Sequence, residues 1–291
     1  MNAQKKESLA TRLGYPENAK LLIIHADDLG LCHAENLASI SAFEKKGINS
    51  GSIMVPCPWF SEFADYAKIH QGLDVGVHLT LTSEWKYYRW GGVLPSNEIP
   101  SLLDKDGYFY SSVEKLAKNA DSREVEKEIN AQIDRAVAFG VNPTHLDPHM
   151  GCMAATTDIF KEYIKAGKKY KLPIVIPLNY DRITQEMIDL LEPGCITVDR
   201  FYMILPDSLQ TSWFDRYKQM IEDIKPGLNE LIVHPSLNNE EMQGITIGHP
   251  NYGAIWRQKD YDTMVNDEFK KLIRKNNIYL ITWKEIQSLI Y

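Results

Sequence analysis

Eight short apolar runs recur along this chain, and stretches of helical periodicity lie between most of them. The runs are Lys20–His25, Gly51–Val55, Leu73–Leu79, Thr144–Asp147, Leu172–Ile176, Cys195–Val198, Glu230–His234 and Ile278–Thr282. Parallel strands cannot be joined by a tight turn, so strand–helix alternation is what a parallel sheet needs. The expected class is therefore α/β: a distorted (β/α) barrel of mostly parallel strands, in one domain spanning residues 1–291. A doubly wound open sheet is the competing architecture. No G-x-G-x-x-G follows the first run, which leaves a dinucleotide fold little support.

Three helices read clearly. Glu35–Lys46 stops at Gly47. Ser122–Phe139 opens on Asp121, has Glu124 at capping-box spacing, and carries Val125, Ile129, Ile133, Ala136 and Val137 on one face. Tyr261–Lys275 reads as a third.

The net charge of −7 argues against a nucleic-acid binder, which would show a basic surface. The lysines of 165–171 read as a solvated helix end. No apolar run approaches the ~20 residues that span a bilayer. The polar start, Met1–Leu9, has no leader-peptide core, so cytoplasmic residence is the expectation; an exported form with its leader removed would read the same. Cys32, Cys57, Cys152 and Cys195 form no C-x-x-C pair and read as reduced, packed thiols. Oligomeric state, including a homodimer, stays open.

Two segments break the rhythm. Residues 80–110 are aromatic (Trp85, Tyr87, Tyr88, Trp90) and carry Gly91-Gly92; residues 238–256 carry His249-Pro250-Asn251-Tyr252-Gly253. Long ordered loops often serve function, and exposed aromatics suit the apolar faces of sugar rings. A loop packed on itself would read alike.

The chemistry gathers at strand ends. His25-Ala26-Asp27-Asp28-Leu29-Gly30 places two carboxylates where the first run should stop. Neighbours in an extended chain point to opposite sides, so the pair can divide its work. In His145-Leu146-Asp147-Pro148-His149, Pro148 opposes a helical pairing, and an extended chain puts residues 145, 147 and 149 on one face. His78 ends another run in Gly76-Val77-His78-Leu79-Thr80-Leu81-Thr82, and His234 ends Leu231-Ile232-Val233-His234. The carboxyl edge of a parallel sheet is where active sites form. Two imidazoles and one carboxylate on a divalent ion leave positions for water and substrate, and a spare carboxylate nearby is a natural general base. His234 is placed to protonate a leaving amine. His70 reads as a surface residue; His33 has no clear assignment.

These elements resemble the YdjC-like carbohydrate deacetylases, the family that includes chitooligosaccharide deacetylases: Ala26–Gly30, Gly76–Thr82, Thr144–His149 and His234-Pro235, in this order. The resemblance implies a distorted (β/α) barrel and metal-dependent removal of acetyl from an N-acetylated sugar or short oligosaccharide. It implies Asp28, His78 and His149 as metal ligands and Asp27 as the base, with His234 as acid an added inference. His25, His145, Asp147, Trp85 and Trp90 are expected to face substrate or to support the ligands. One divalent ion is implied, zinc first, with magnesium, nickel, cobalt or manganese also compatible. His25 stands where many relatives have Asn, Leu29 where Phe is common, and Gly151-Cys152 where further histidines often follow. An N-acetylated saccharide is the expected partner, with no nucleic acid and no membrane. Two alternatives stand beside this reading: a metal-dependent hydrolase of another amide, ester or phosphate, and a non-catalytic carbohydrate-binding protein. A glycosidase would use two carboxylates and no metal.

Overall fold

The first apolar run forms the centre of the sheet because it is apolar on both sides. In the computed structural model, which describes residues 7–206 and 212–291, β1 covers Lys20–Leu29. The stretch Leu21–Ile24 is fully buried, as a parallel strand covered on both faces must be. The other strands are β2 (Ser50–Ile53), β3 (Val75–Leu79), β4 (Leu146–Pro148), β5 (Arg200–Tyr202), β6 (Gly227–Val233) and β7 (Ile278–Leu280). Their order is β4-β3-β2-β1-β6-β5, all pairings are parallel, and β7 lies beside the start of β1.

Two single bridges carry the sheet round into a distorted barrel. Leu146 pairs with Ile174 and Pro177 with Val198, both parallel. The Val175 N–H donates to Leu146 O at 2.9 Å, and the Val198 N–H donates to Ile176 O at 3.0 Å. Asp199 then donates to Leu228 O of β6 and completes the circuit. The runs expected as strands at Leu172–Ile176 and Cys195–Val198 are thus bridges only. Pro173 and Pro177 have no N–H to give a ladder, which explains the thin wall on this side.

Other boundaries move for local reasons. β1 continues through the carboxylate pair instead of stopping at His25, and β6 begins three residues before Glu230. Thr282 leaves the last strand to cap helix Trp283–Ile290 in a capping box. The expected helix Tyr261–Lys275 is two helices, Ala254–Met264 and Asp267–Lys275, parted where Asn266 caps the second. Asp121 caps Ser122–Ala138 as expected, but Glu124 makes no capping box. Its carboxylate accepts from the N–H and hydroxyl of Ser101 and anchors the long loop.

Strand alternation layers the interior. On β1, Leu22 and Ile24 join the larger core cluster, while Leu21 and Ile23 join a smaller one with Val175, Val198, Leu228, Trp283 and Ile286. That smaller cluster is the floor, closed by the C-terminal helix. Going up the same face, His25 follows, then Asp27. The apolar floor gives way to a polar layer and then to the carboxyl edge.

Candidate metal centre at the carboxyl edge of the strands

Asp27 and Asp28 turn toward the same cavity. Asp28 has a left-handed backbone (φ 68°), and the β1–β2 register shifts between Ala26 and Leu29. This bulge corrects the expectation that an extended chain would send the two carboxylates to opposite sides. Asp28 Oδ1 lies 3.5 Å from His78 Nε2, and Asp27 Oδ2 lies 3.8 Å from the same nitrogen.

Hydrogen bonds set the faces of both imidazoles. His78 Nδ1 is 2.7 Å from Asp147 Oδ2, so it carries the proton and donates, leaving the Nε2 lone pair toward Asp28. His149 Nε2 donates to Glu84 Oε2 at 3.1 Å, which turns Nδ1 inward. His149 Nδ1 is then 3.3 Å from Asp28 Oδ1 and 3.3 Å from His78 Nε2.

Asp28 Oδ1, His78 Nε2 and His149 Nδ1 form a triangle with sides of 3.3–3.5 Å, and a cation that displaces the ring protons would meet three lone pairs there. Donors bound to zinc at 2.0–2.2 Å and tetrahedral angles would lie about 3.3–3.6 Å apart. Asp28 Oδ1 is buried and has no hydrogen-bond donor. Donor chemistry, spacing and the orphaned oxygen all fit a divalent cation held by Asp28, His78 and His149.

The electrostatics favour added positive charge. Burial opposes ionisation of Asp28, but the Arg257 guanidinium, with His149 and His78, overcomes it and holds the carboxyl well below its usual range. Burial likewise opposes charge on His149, yet Glu84 and Asp28 raise its pKa to about 9. Asp27 differs from its neighbour: burial pushes it up to about 6. Burial also lowers His234 to about 3, so it rests neutral. His234 Nε2 lies 3.8 Å from Asp27 Oδ2, and its backbone N–H is fixed by Asp260.

The remaining candidates fall into two places. His25 and His145 lie below the cavity, fully buried, with ring centroids 5.0 Å apart. His25 contacts the hydroxyls of Ser50 and Ser52 at 2.9 and 3.1 Å and sits 3.4 Å under Asp27 Oδ1. His145 packs against Trp283 over Gly76. Neither lines the cavity; both lie in the layer beneath it. Asp147 links the layers, bonded to His78 and 3.5 Å from His25 Nε2. Two other donor groups, His25/His145/Asp147 and Asp27/His78/Asp147, also cluster, but both draw on Asp147, whose Oδ2 already accepts from His78.

Of the two readings open for the aromatic loop, the structure takes the self-packed one. Trp85 and Trp90 are 4% and 3% exposed, and Trp90 Nε1 donates to Thr82 O. The loop packs on itself, and Tyr87 and Tyr108 are its exposed rings. Trp85 does line the cavity; Trp90 meets the His149 ring edge at 6.1 Å instead. His33, paired with Glu62, and His70, on Tyr66 O, lie outside the site.

Sequence reasoning missed Arg257 and Glu84, and singled out Tyr252 only as part of the 238–256 loop. Arg257 is buried and donates to Asp28 Oδ2 at 2.7 Å and to Glu35 Oε2 at 3.1 Å. Glu84 comes two residues after the Gly76–Thr82 element, and a carboxylate so close in sequence to the candidate ligand His78 was a usable signal. Tyr252 lies in the 238–256 loop and meets the His234 ring edge at 5.5 Å. Both loops reach the cavity, which has a volume of about 340 Å³, within the range of small-ligand pockets.

The fold and site define an α/β barrel protein with a candidate divalent-metal centre at the carboxyl edge of its strands. The sequence model of the YdjC-like protein family matches residues 21–275, and the chain belongs to that family. A carbohydrate deacetylase of Thermus thermophilus is 31% identical over 97% of this chain and 99% of its own length. One from Thermoanaerobacter pseudethanolicus is 27% identical over 91% and 98%. Among solved structures, an Enterococcus faecalis protein described as a cellobiose-phosphate cleavage protein superposes with a TM-score of 0.79. It is 24% identical and covers 92% of this chain and 99% of its own, a likeness that carries the fold. No helix among the described residues is long and apolar enough to cross a membrane.

Proposed function

We propose that this protein is a metal-dependent hydrolase that removes the acetyl group from an N-acetylated sugar or short oligosaccharide. The observation that carries the reading is the lone-pair triangle of Asp28, His78 and His149, with the free carboxylate of Asp27 beside it. The names of its relatives, carbohydrate deacetylases, supply the substrate class.

A divalent ion held by the three ligands supplies Lewis acidity, which acidifies water and polarises a carbonyl. The chain's own residues do the rest. Asp147 and Glu84 hold the two imidazoles in the tautomers that present lone pairs. Arg257 keeps Asp28 ionised and fixes its second oxygen. Asp27 takes the proton of the attacking water; a pKa near 6 suits a base working close to neutrality. His234 rests neutral, so it acts as an acid only after taking up a proton, and it then delivers that proton to the departing amine. A purely binding protein would have no use for an uncommitted carboxylate beside the ligands.

Acetate release from N-acetylglucosamine oligomers, measured with and without a chelator, tests the reading. Release that stops with chelator and returns with added divalent ion supports it. Release indifferent to chelator, or none after metal loading, overturns it.

A further inference from the structure

The wall of the cavity is divided by chemistry along the barrel. One arc, β6, β1 and the segment after β3, brings His234, Asp27, Asp28 and Glu84, with Asn251 and Tyr252 from the loop after β6. The opposite arc runs from the turn after β4, across the 172–177 segment, to β5. It brings Met153, Ala154, Val175, Phe201 and Met203, together with Tyr163 and Tyr180, whose hydroxyls donate to Leu146 O and Met150 O. Here the barrel is joined by the single Leu146–Ile174 and Pro177–Val198 bridges and a few hydrogen bonds around them. The cavity penetrates this thin wall as far as Phe160, a ring on helix Thr157–Tyr170. Phe160 and Met153 are otherwise buried, so the cavity runs into an apolar recess at this arc.

Resting on the amide-hydrolase reading, the geometry points to an acyl-chain pocket: the structure takes N-acyl sugars whose acyl group is longer than acetyl. In an amide the carbonyl carbon carries two substituents, the amine-bearing sugar and the acyl tail. With that carbon at Asp27 and the ligand triangle, the two extend away from each other. Sugar hydroxyls need hydrogen-bonding partners, which His249 and Asn251 of the loop after β6 can supply. The recess offers Met153, Val175 and Phe160, which suit methylenes and would strand a hydroxyl. An acetyl methyl alone would leave most of this apolar surface uncovered. Hydrolysis is balanced as for any amide: water's oxygen bonds to the acyl carbon, the C–N bond breaks, the amine takes the proton, and the chain leaves as a carboxylate.

The test compares N-acetyl-, N-propionyl-, N-butyryl- and N-hexanoylglucosamine on the metal-loaded protein. With kcat/KM rising roughly fourfold per methylene from acetyl to butyryl, the pocket holds the chain. A steady fall from acetyl onward overturns the pocket and leaves the deacetylase reading standing. Should no member be hydrolysed, the hydrolase reading fails by itself. Calorimetric binding of the same series then decides the pocket: affinity rising with chain length supports it, and flat affinity overturns it. Val175→Phe, which fills the recess, lowers the ratio of butyryl to acetyl kcat/KM at least tenfold; an unchanged ratio in this folded variant counts against the assignment. Ala154→Phe serves the same purpose from the other side of the recess if Val175→Phe does not fold.

Discussion

Arg257 donates through Nη2 to Asp28 Oδ2 at 2.7 Å, with both side chains buried. Its Nη1 reaches the equally buried Glu35 at 3.1 Å. One guanidinium from a helix late in the chain thus fixes a candidate metal ligand from the first strand. It leaves Asp28 one oxygen for an ion.

Arg257→Met strands two buried carboxylates, and breaking a buried pair costs about 3–5 kcal/mol. Denaturant unfolding should show a loss of that order. Arg257→Lys should restore little, because a point charge on one ammonium does not reproduce the planar fork that serves both partners. A loss below ~1 kcal/mol in the methionine variant would remove Arg257 from its role as anchor.

Asp147→Asn weakens the hold on the His78 tautomer without touching the ligand triangle. Loss of such an orienting carboxylate costs roughly 10–100-fold in metal affinity. Competition with a chromophoric chelator measures it directly. An affinity equal to wild type would mean that His78 is oriented by Ser52 alone, the other group at its Nδ1.

Gly76→Ala tests the layer beneath the site. A Cβ at this position would stand 2.5 Å from His145 Nε2. Crowding of this kind costs about 1–3 kcal/mol. Thermal unfolding should register the loss, and a variant as stable as wild type would show that the His145 ring can move aside.

Asp27→Asn keeps the shape of the site and removes its free carboxylate. Metal content should stay at the wild-type level, while acetate release falls about 10²–10⁴-fold, the usual worth of a general base. Full turnover in this variant would end the assignment of Asp27 as base.

The sequence shows the site's histidines and aspartates because each sits at the end of an apolar run, and runs such as Leu21–Ile24 have no other use than burial in a parallel sheet. What it conceals is long-range or conformational. Asp28 is not a glycine, so nothing marks its left-handed backbone or the bulge that brings both carboxylates to one cavity. Arg257 reaches Asp28 across 229 positions from a helix whose pattern is ordinary. Leu172–Ile176 has the composition of a strand, but Pro173 within it and Pro177 just after it deny it a ladder, and that weakness opens the apolar recess. Trp85 and Trp90 look like exposed sugar platforms in the sequence; Glu128 and Thr82 tie their loop down by hydrogen bonds that composition does not reveal.

Metal stoichiometry across variants addresses the central claim most directly. Purified wild-type protein, loaded with a divalent ion and freed of excess, is assayed by elemental analysis beside Asp28→Ala, His149→Ala and Asp27→Asn. The account predicts about one tightly held ion in wild type and Asp27→Asn, and little or none in folded Asp28→Ala and His149→Ala. Metal content in Asp28→Ala and His149→Ala equal to that of wild type would contradict it.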